Sequence, residues 1–314
     1  TIFAEIQAMA LALNKQGILI GLCSKNNPRD VDEVIESHPD MQLKDELITI
    51  NKSNWSDKVS NLKMIAQELN IGLDSLVFVD DSPFEVNLVR EQLPEITVLQ
   101  VPERLYEYPK MLRENLGLFY NHSVTAEDRK KIKMYKQQVK RETVKKEFSD
   151  IEDYLASLEL KITVFQDNES IIPRMSQMSQ KTNQFNLTTK RYTEEDIRSF
   201  IENDVSNVIA FSVSDKFGDS GVTGLCIINF QDETQSAEID TLLMSCRIIG
   251  RNIEYVFMNF IIDKIKKKKI QKLKVKYIKS SKNEQVKGFY DECGFDLIER
   301  KESDREYLLN GNKY

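Results

Sequence analysis

Two short apolar runs, each breaking off into a polar cluster, constrain this chain more than anything else in it. The first is GILIGLCSKNN, where Ile18 to Leu22 is apolar and partly β-branched before Cys23, Ser24, Lys25, Asn26 and Asn27 follow. The second is LVFVDDSPFEV, where Leu76 to Val79 lead into Asp80 and Asp81. Runs this short, without polar alternation, suit strands buried on both faces, as in a parallel sheet. Helical spacing surrounds them: Ile2, Ile6, Met9 and Leu13 precede Gly17, a helix is expected over 29–37, and Val59, Leu62, Ile65 and Leu69 share one face of a helix expected over 57–70. A third strand is expected over 96–101, between Pro94 and Pro102. Strands alternating with helices predict crossover connections and a parallel sheet. Ligands of such sheets bind beyond the carboxyl ends of the strands, and both polar clusters stand at such ends.

The character of the chain then changes twice. Residues 125–158 are highly charged and helical in pattern, with Thr125 and Asp128 placed as a capping box. Beyond Leu160, strand-like runs over 161–165, 208–213, 221–230 and 237–244 predict an antiparallel meander. A long helix over 251–269, a strand over 273–277 and a short helix over 283–293 complete an α+β pattern. The expected fold class is therefore α/β: an incomplete Rossmann-like domain with a parallel sheet over 1–122, a helical linker over 123–159 and an α+β domain over 160–314.

With 314 residues there is enough chain for two cores. A net charge of −6 argues against a general nucleic-acid binder, and no stretch approaches the roughly 18 apolar residues of a membrane span. The four cysteines, Cys23, Cys226, Cys246 and Cys293, form no C-x-x-C pair, which suits reduced thiols in a cytoplasmic protein. His38 and His122 are the only imidazoles, so a multi-histidine metal site is excluded and any metal is expected to be a hard cation on carboxylates.

Three groups of residues carry candidate chemistry. Ser24, Lys58, Asp80 and Asp81 are the types needed around a phosphate: the carboxylates can hold Mg²⁺ while the hydroxyl and ammonium grip phosphate oxygens. Asn26 beside them is a candidate substrate contact. An Asp pair after a strand also serves as a helix cap, and a lysine at a helix start is usually solvated. In the second group, SCRIIGRN follows an apolar strand and opens a helix, so Arg247, Gly250, Arg251 and Asn252 outline an anion cradle for a pyrophosphate or a phosphopantetheine phosphate. The third, Asn183, Gln184 and Asn186, is an amide-rich cluster that can hydrogen-bond a sugar-like or glyceryl substrate or organise its own loop.

The strings CSKNN, NWSDKVSN, IGLDSLVFVDDSPFE, TAEDR, TNQFNLTTKRYTEEDI, FGDSG, AEIDTLLMSCRIIGR and GFYDECGF resemble the FkbH-like family, a subfamily IIIC branch of the haloacid dehalogenase superfamily joined to a GNAT-like acyltransferase domain. The resemblance spans essentially the whole chain. It implies Mg²⁺ at Asp80 and Asp81, with Ser24 and Lys58 at the phosphate. It also implies a nucleophilic aspartate in a D-x-D-x-T motif on a strand before Thr1, which this sequence lacks. The implied reaction takes a glyceryl unit from a small phosphorylated three-carbon donor, a 1,3-bisphosphoglycerate-like acyl phosphate, and loads it onto an acyl carrier protein. Cys23 is the candidate for a thioester intermediate, with packing at a strand end as the other reading. The GNAT signature R-x-x-G-x-G/A is matched at Arg247 and Gly250, with Asn252 in place of the last small residue. Coenzyme A or phosphopantetheine is the implied ligand there. Asn283 and Tyr290 match the end of the GNAT pattern, Tyr290 as a proton donor to a leaving thiolate. Two alternatives stay open: a GNAT N-acyltransferase whose first domain is a scaffold, and a non-catalytic module that binds carrier protein.

Overall fold

The computed structural model describes residues 1–119 and 126–311, with the backbone alone for 126–130 and Asp232. His122 and the Thr125–Asp128 capping pair fall outside the described residues or side chains. The chain divides into two compact units, Thr1–Ser149 and Asp150–Tyr314. The division falls within the stretch expected to be a helical linker.

In the first unit the order is α1 (Ile2–Lys15), β1 (Ile20–Ser24), α2 (Pro28–Ser37), β2 (Ile48–Ser53), α3 (Lys58–Leu69), β3 (Val77–Asp80), α4 (Pro83–Gln92), β4 (Thr97–Gln100), α5 (Tyr108–Glu114) and α6 (Ala126–Lys145). All strand pairing is parallel, as the apolar runs predict. It forms two separate pairs, β1 with β2 and β3 with β4, rather than one sheet. Helix α3 starts cleanly because the Asp57 side chain accepts the Ser60 N–H, and α4 because Ser82 accepts the Glu85 N–H ahead of Pro83. The predicted face of α3, Val59, Leu62, Ile65 and Leu69, packs with Ile50, Phe78 and Val89 into the core. Each such side chain contributes about 1.5–3 kcal/mol of burial.

The second unit runs α7 (Ile151–Ser157), β5 (Lys161–Gln166), α8 (Ile172–Lys181), β6 (Phe185–Asn186), α9 (Glu194–Glu202), β7 (Ser206–Asp215), β8 (Gly218–Gln231), β9 (Ser236–Met244), α10 (Ile253–Lys267), β10 (Lys272–Tyr277), α11 (Phe289–Glu292), β11 (Asp296–Lys301) and β12 (Asp304–Asn310). Strands lie in the order β11-β12-β10-β9-β8-β7-β5, antiparallel except where β10 runs parallel to β9. Alternation along the strands builds two cores. Ile209, Phe211 and Val213 of β7 join Phe257, Ile261 and Ile265 of α10 on one face. Val208 and Ala210 join Ile172, Met175, Met178 and Ile197 of α8 and α9 on the other. The helix expected over 283–293 is reduced to the four residues of α11.

The parallel pair β9/β10 ends at Ile239 opposite Val275. Beyond that point the chain stitches the gap with its own backbone. Phe185 and Asn186 pair with Met244 and Leu243, the Leu187 N–H donates to the Leu242 carbonyl (3.1 Å), and the Ile278 N–H donates to the Leu187 carbonyl (2.8 Å). Among the described residues, no helix is long and apolar enough to cross a membrane.

Candidate functional site

The end of β1 and the start of α4 meet in the first unit. Lys25 Nζ lies 2.5 Å from Glu85 Oε1, so the loop after β1 is tied to the helix that follows β3. Next to this tie, Lys58 at the first position of α3 is paired with Asp80 at the last position of β3. Both side chains are largely buried, at 12% and 5% exposure. The other Asp80 oxygen accepts the Ser82 N–H at 2.9 Å. Lys58 Nζ also stands 5.8 Å from the centre of the Phe78 ring. The strand and helix termini thus bring Lys58 and Asp80 together, as their sequence order suggested.

Cys23 lies within the field of this pair. Burial, the largest influence, pushes its thiol up to about 11; Lys58 opposes that, and Asp80 and Glu85 add to it. The expected thiolate is therefore not favoured: at neutral pH Cys23 is a protonated thiol that packs against the core. Lys25, expected to support a thiolate, is engaged by Glu85 instead. Ser24 ends β1 opposite Ser53, and its hydroxyl makes no hydrogen bond among the described residues. Asp81 is exposed. Asn26 is exposed and accepts the Asn27 N–H.

Glu85 escaped the sequence reading, although S-P-F-E has the spacing of a capping box. Its carboxylate reaches Lys25 rather than turning back on Ser82. The exposed Trp55 was also missed; its indole donates to Asn27 Oδ1 at 3.1 Å and pins the loop after β1.

Mg²⁺ usually takes one or two carboxylates and completes its shell with water and phosphate oxygens. Asp80 and Asp81 supply that number. Among the described residues, no group of three or more His, Cys, Asp or Glu forms an all-protein metal cage.

In the second unit the turn before α10 has the expected conformation, with Gly250 at φ +80° and Asn252 at φ +57°. Asparagine tolerates this left-handed region better than most residues. The side chains differ from the expected cradle. Arg251 is turned inward, 3.5 Å from the buried Asp215 carboxylate, and donates to the Arg247 carbonyl. Arg247 donates to Ser245 Oγ. Glu254 lies half-buried in the first turn of α10, its carboxyl pushed up by burial. A carboxyl at this helix end competes with an incoming phosphate, and the β9/β10 gap is bridged by residues 185–187. This arrangement does not fit a pyrophosphate.

Tyr290 is 1% exposed and ringed by Phe289, Phe295 and Tyr307. Among the described residues its hydroxyl has no hydrogen-bond partner, and burial holds its pKa well above the usual value. The expected proton donor is thus inside the core, because the aromatic neighbours bury the whole ring.

Asn283 is fully buried and makes four good bonds. Its amide donates to the carbonyls of Asn186 and Ile278, both at 2.9 Å. Its oxygen accepts the Ser280 N–H at 2.8 Å and the Tyr277 hydroxyl at 3.1 Å. It braces β6 against the loop after β10 rather than facing a ligand. Replacing Asn283 with alanine is expected to cost about 2 kcal/mol, since several buried groups lose partners at once. Urea denaturation followed by near-UV circular dichroism measures this.

Asn183 and Asn186 line a cavity of about 200 Å³; Gln184 does not. Asn186 is itself buried, donating to the Thr182 carbonyl and accepting the Thr189 N–H.

No protein-family model matches the chain, and no curated protein matches it. Among solved structures, it is similar to the N-terminal part of the protein BF1531 from Bacteroides fragilis, which contains a phosphatase domain and was solved with Mg. The identity is 42%, over 39% of this chain and 32% of that one, with a TM-score of 0.38. The chain therefore spans about a third of that structure's length. It is also similar to a domain from Methanocaldococcus jannaschii, at 15% identity over 48% of this chain and 99% of that one, TM-score 0.39. Spermidine N-acetyltransferase from Vibrio cholerae gives 15% identity over 50% and 96%, TM-score 0.38.

Proposed function

We propose that the chain belongs to an acyl-transfer enzyme whose first unit handles the phosphate of a small phosphorylated three-carbon donor and which loads the glyceryl group onto an acyl carrier protein. The observation that supports this most is the Lys58–Asp80 pair at strand and helix ends, with the Cys23 thiol inside its field. Lys58 is placed to neutralise phosphate charge, Asp80 and Asp81 to hold Mg²⁺, and the Ser24 hydroxyl to donate to a phosphate oxygen. Mg²⁺, when bound, would screen the phosphate's charge.

In the transfer, a thiol sulfur bonds to the acyl carbon, the carbon–oxygen bond to the acyl phosphate breaks, and that phosphate departs with the electron pair while the thiol proton passes to solvent; water then cleaves the remaining phosphate ester, releasing a second phosphate and leaving the glyceryl thioester. In this reading the carrier's own thiol is taken as the acceptor. The partner in this reading is an acyl carrier protein, and the bond formed is a thioester rather than an amide.

The test incubates the full-length protein with 1,3-bisphosphoglycerate, Mg²⁺ and carrier protein, followed by intact mass. The expected result is one glyceryl unit on the carrier, kept in Cys23→Ser and lost in Lys58→Met. Acetyl transfer from acetyl-CoA to an amine, or carrier binding without any adduct, would sink the proposal.

A further inference from the structure

The cavity in the second unit has a composition that predicts the charge of its occupant. Its walls come from the stretch 182–191 and from Ser280, Ser281 and Lys282. Arg191 and Lys282 are cationic, and among the described residues no acidic side chain lines it. At about 200 Å³ it exceeds the roughly 150 Å³ of a cavity that holds benzene, which suits a molecule of a few carbons.

Arg191 is fixed although it reaches solvent. Its Nη1 donates to the carbonyls of Ser179 and Thr182, and its Nη2 to Asn183 Oδ1. All three acceptors are neutral, so no carboxylate in these bonds offsets the guanidinium charge, although burial lowers its pKa. Three of its five N–H donors are used this way. Nε–H and one Nη2–H remain as donors on a planar fork of the kind that binds carboxylate or phosphate oxygens.

The opposite wall is equally built. The loop at Ser280 is held by the buried Asn283, which also holds Asn186. Thr189, on the wall, is a β-branched residue at φ +57°, locked there by its N–H bond to Asn186 Oδ1 at 2.9 Å. Backbone strain of this kind persists only where surrounding bonds enforce it, and it gathers at ligand sites.

We infer that this cavity binds a small organic molecule through a carboxylate or phosphate group gripped by Arg191, with Lys282 and the wall hydroxyls completing the contact. This assignment is independent of the reaction proposed for the first unit.

The test is an amide NMR titration of the full chain with sodium phosphate and, separately, sodium acetate, at constant ionic strength. Saturable shifts at Thr189, Ser281 and Lys282 are expected with at least one anion, and which one saturates first assigns the group. Arg191→Gln should weaken binding tenfold or more. Arg191→Lys should recover only part of it, because an ammonium lacks the fork. Ser281→Asp, on an exposed loop, should abolish it while leaving the spectrum otherwise folded. Non-saturating shifts at these amides, shifts confined to residues 24–26, or a Ser281→Asp protein that titrates like the parent would overturn the assignment.

Discussion

Gly224→Ala is expected to destabilise the second unit by more than about 3 kcal/mol or to prevent its folding. Gly224 sits on β8 directly opposite Phe211 of β7. A methyl group there would stand 1.8 Å from Phe211 Cε1 and within 2.5 Å of two further ring atoms. The ring cannot retreat, because Phe211 is fully buried and packs on Phe257 with ring centres 4.3 Å apart. Overpacking in cores usually costs about 1–3 kcal/mol, and an overlap this deep should exceed that range. The cause can be isolated with a second substitution. Phe211→Ala alone should cost about 3–5 kcal/mol through its cavity. Combined with Gly224→Ala, the total should fall short of the sum by at least about 1 kcal/mol, since each change relieves the other. Strict additivity in chemical denaturation would show that the close approach is not the reason for glycine.

The second large effect is expected at the Lys58–Asp80 pair. Asp80→Asn should destabilise the first unit by about 3 kcal/mol, because Lys58 is left charged, largely buried and without its partner. The double variant Lys58→Met with Asp80→Asn should recover most of that loss, because the stranded charge is gone. Trp55 is the only tryptophan and lies in the first unit, so its fluorescence during denaturation reads this unit directly. If Asp80→Asn melts like the parent, the pair is solvated and its place in the proposed phosphate site falls with it.

The mixed α/β fold was readable to the extent that local pattern encodes it. The runs around Ile20 and Phe78 announce β1 and β3 because nothing polar interrupts them. In contrast, β2 alternates Ile48 and Ile50 with Thr49 and Asn51 and gets no assignment from the sequence reading. Strand β6 is two residues long and exists only through its bonds to β9, so no local pattern could reveal it. Strand β11 is exposed throughout and offers no hydrophobic signal. The meeting of Lys58 and Asp80 followed from topology, since both stand at element ends. The inward turn of Arg251 did not, because Asp215 lies far away along the chain and only folding brings it close. Arg191 escaped for a related reason: its value lies in three neutral acceptors that fix it, and nothing in the order of residues marks them.

The stitch of residues 185–187 across β9 and β10 would set a clock as well as a shape. A guest that needs the edge of β9 beyond Ile239 finds it already taken, so entry waits for the bonds at Leu187 and Ile278 to open. Uptake would then level off as the guest becomes plentiful, at a ceiling set by the protein's own opening rate. At high pH, where every opening leads to exchange, the exchange of those two amide protons with deuterated solvent would report the same rate with no guest present.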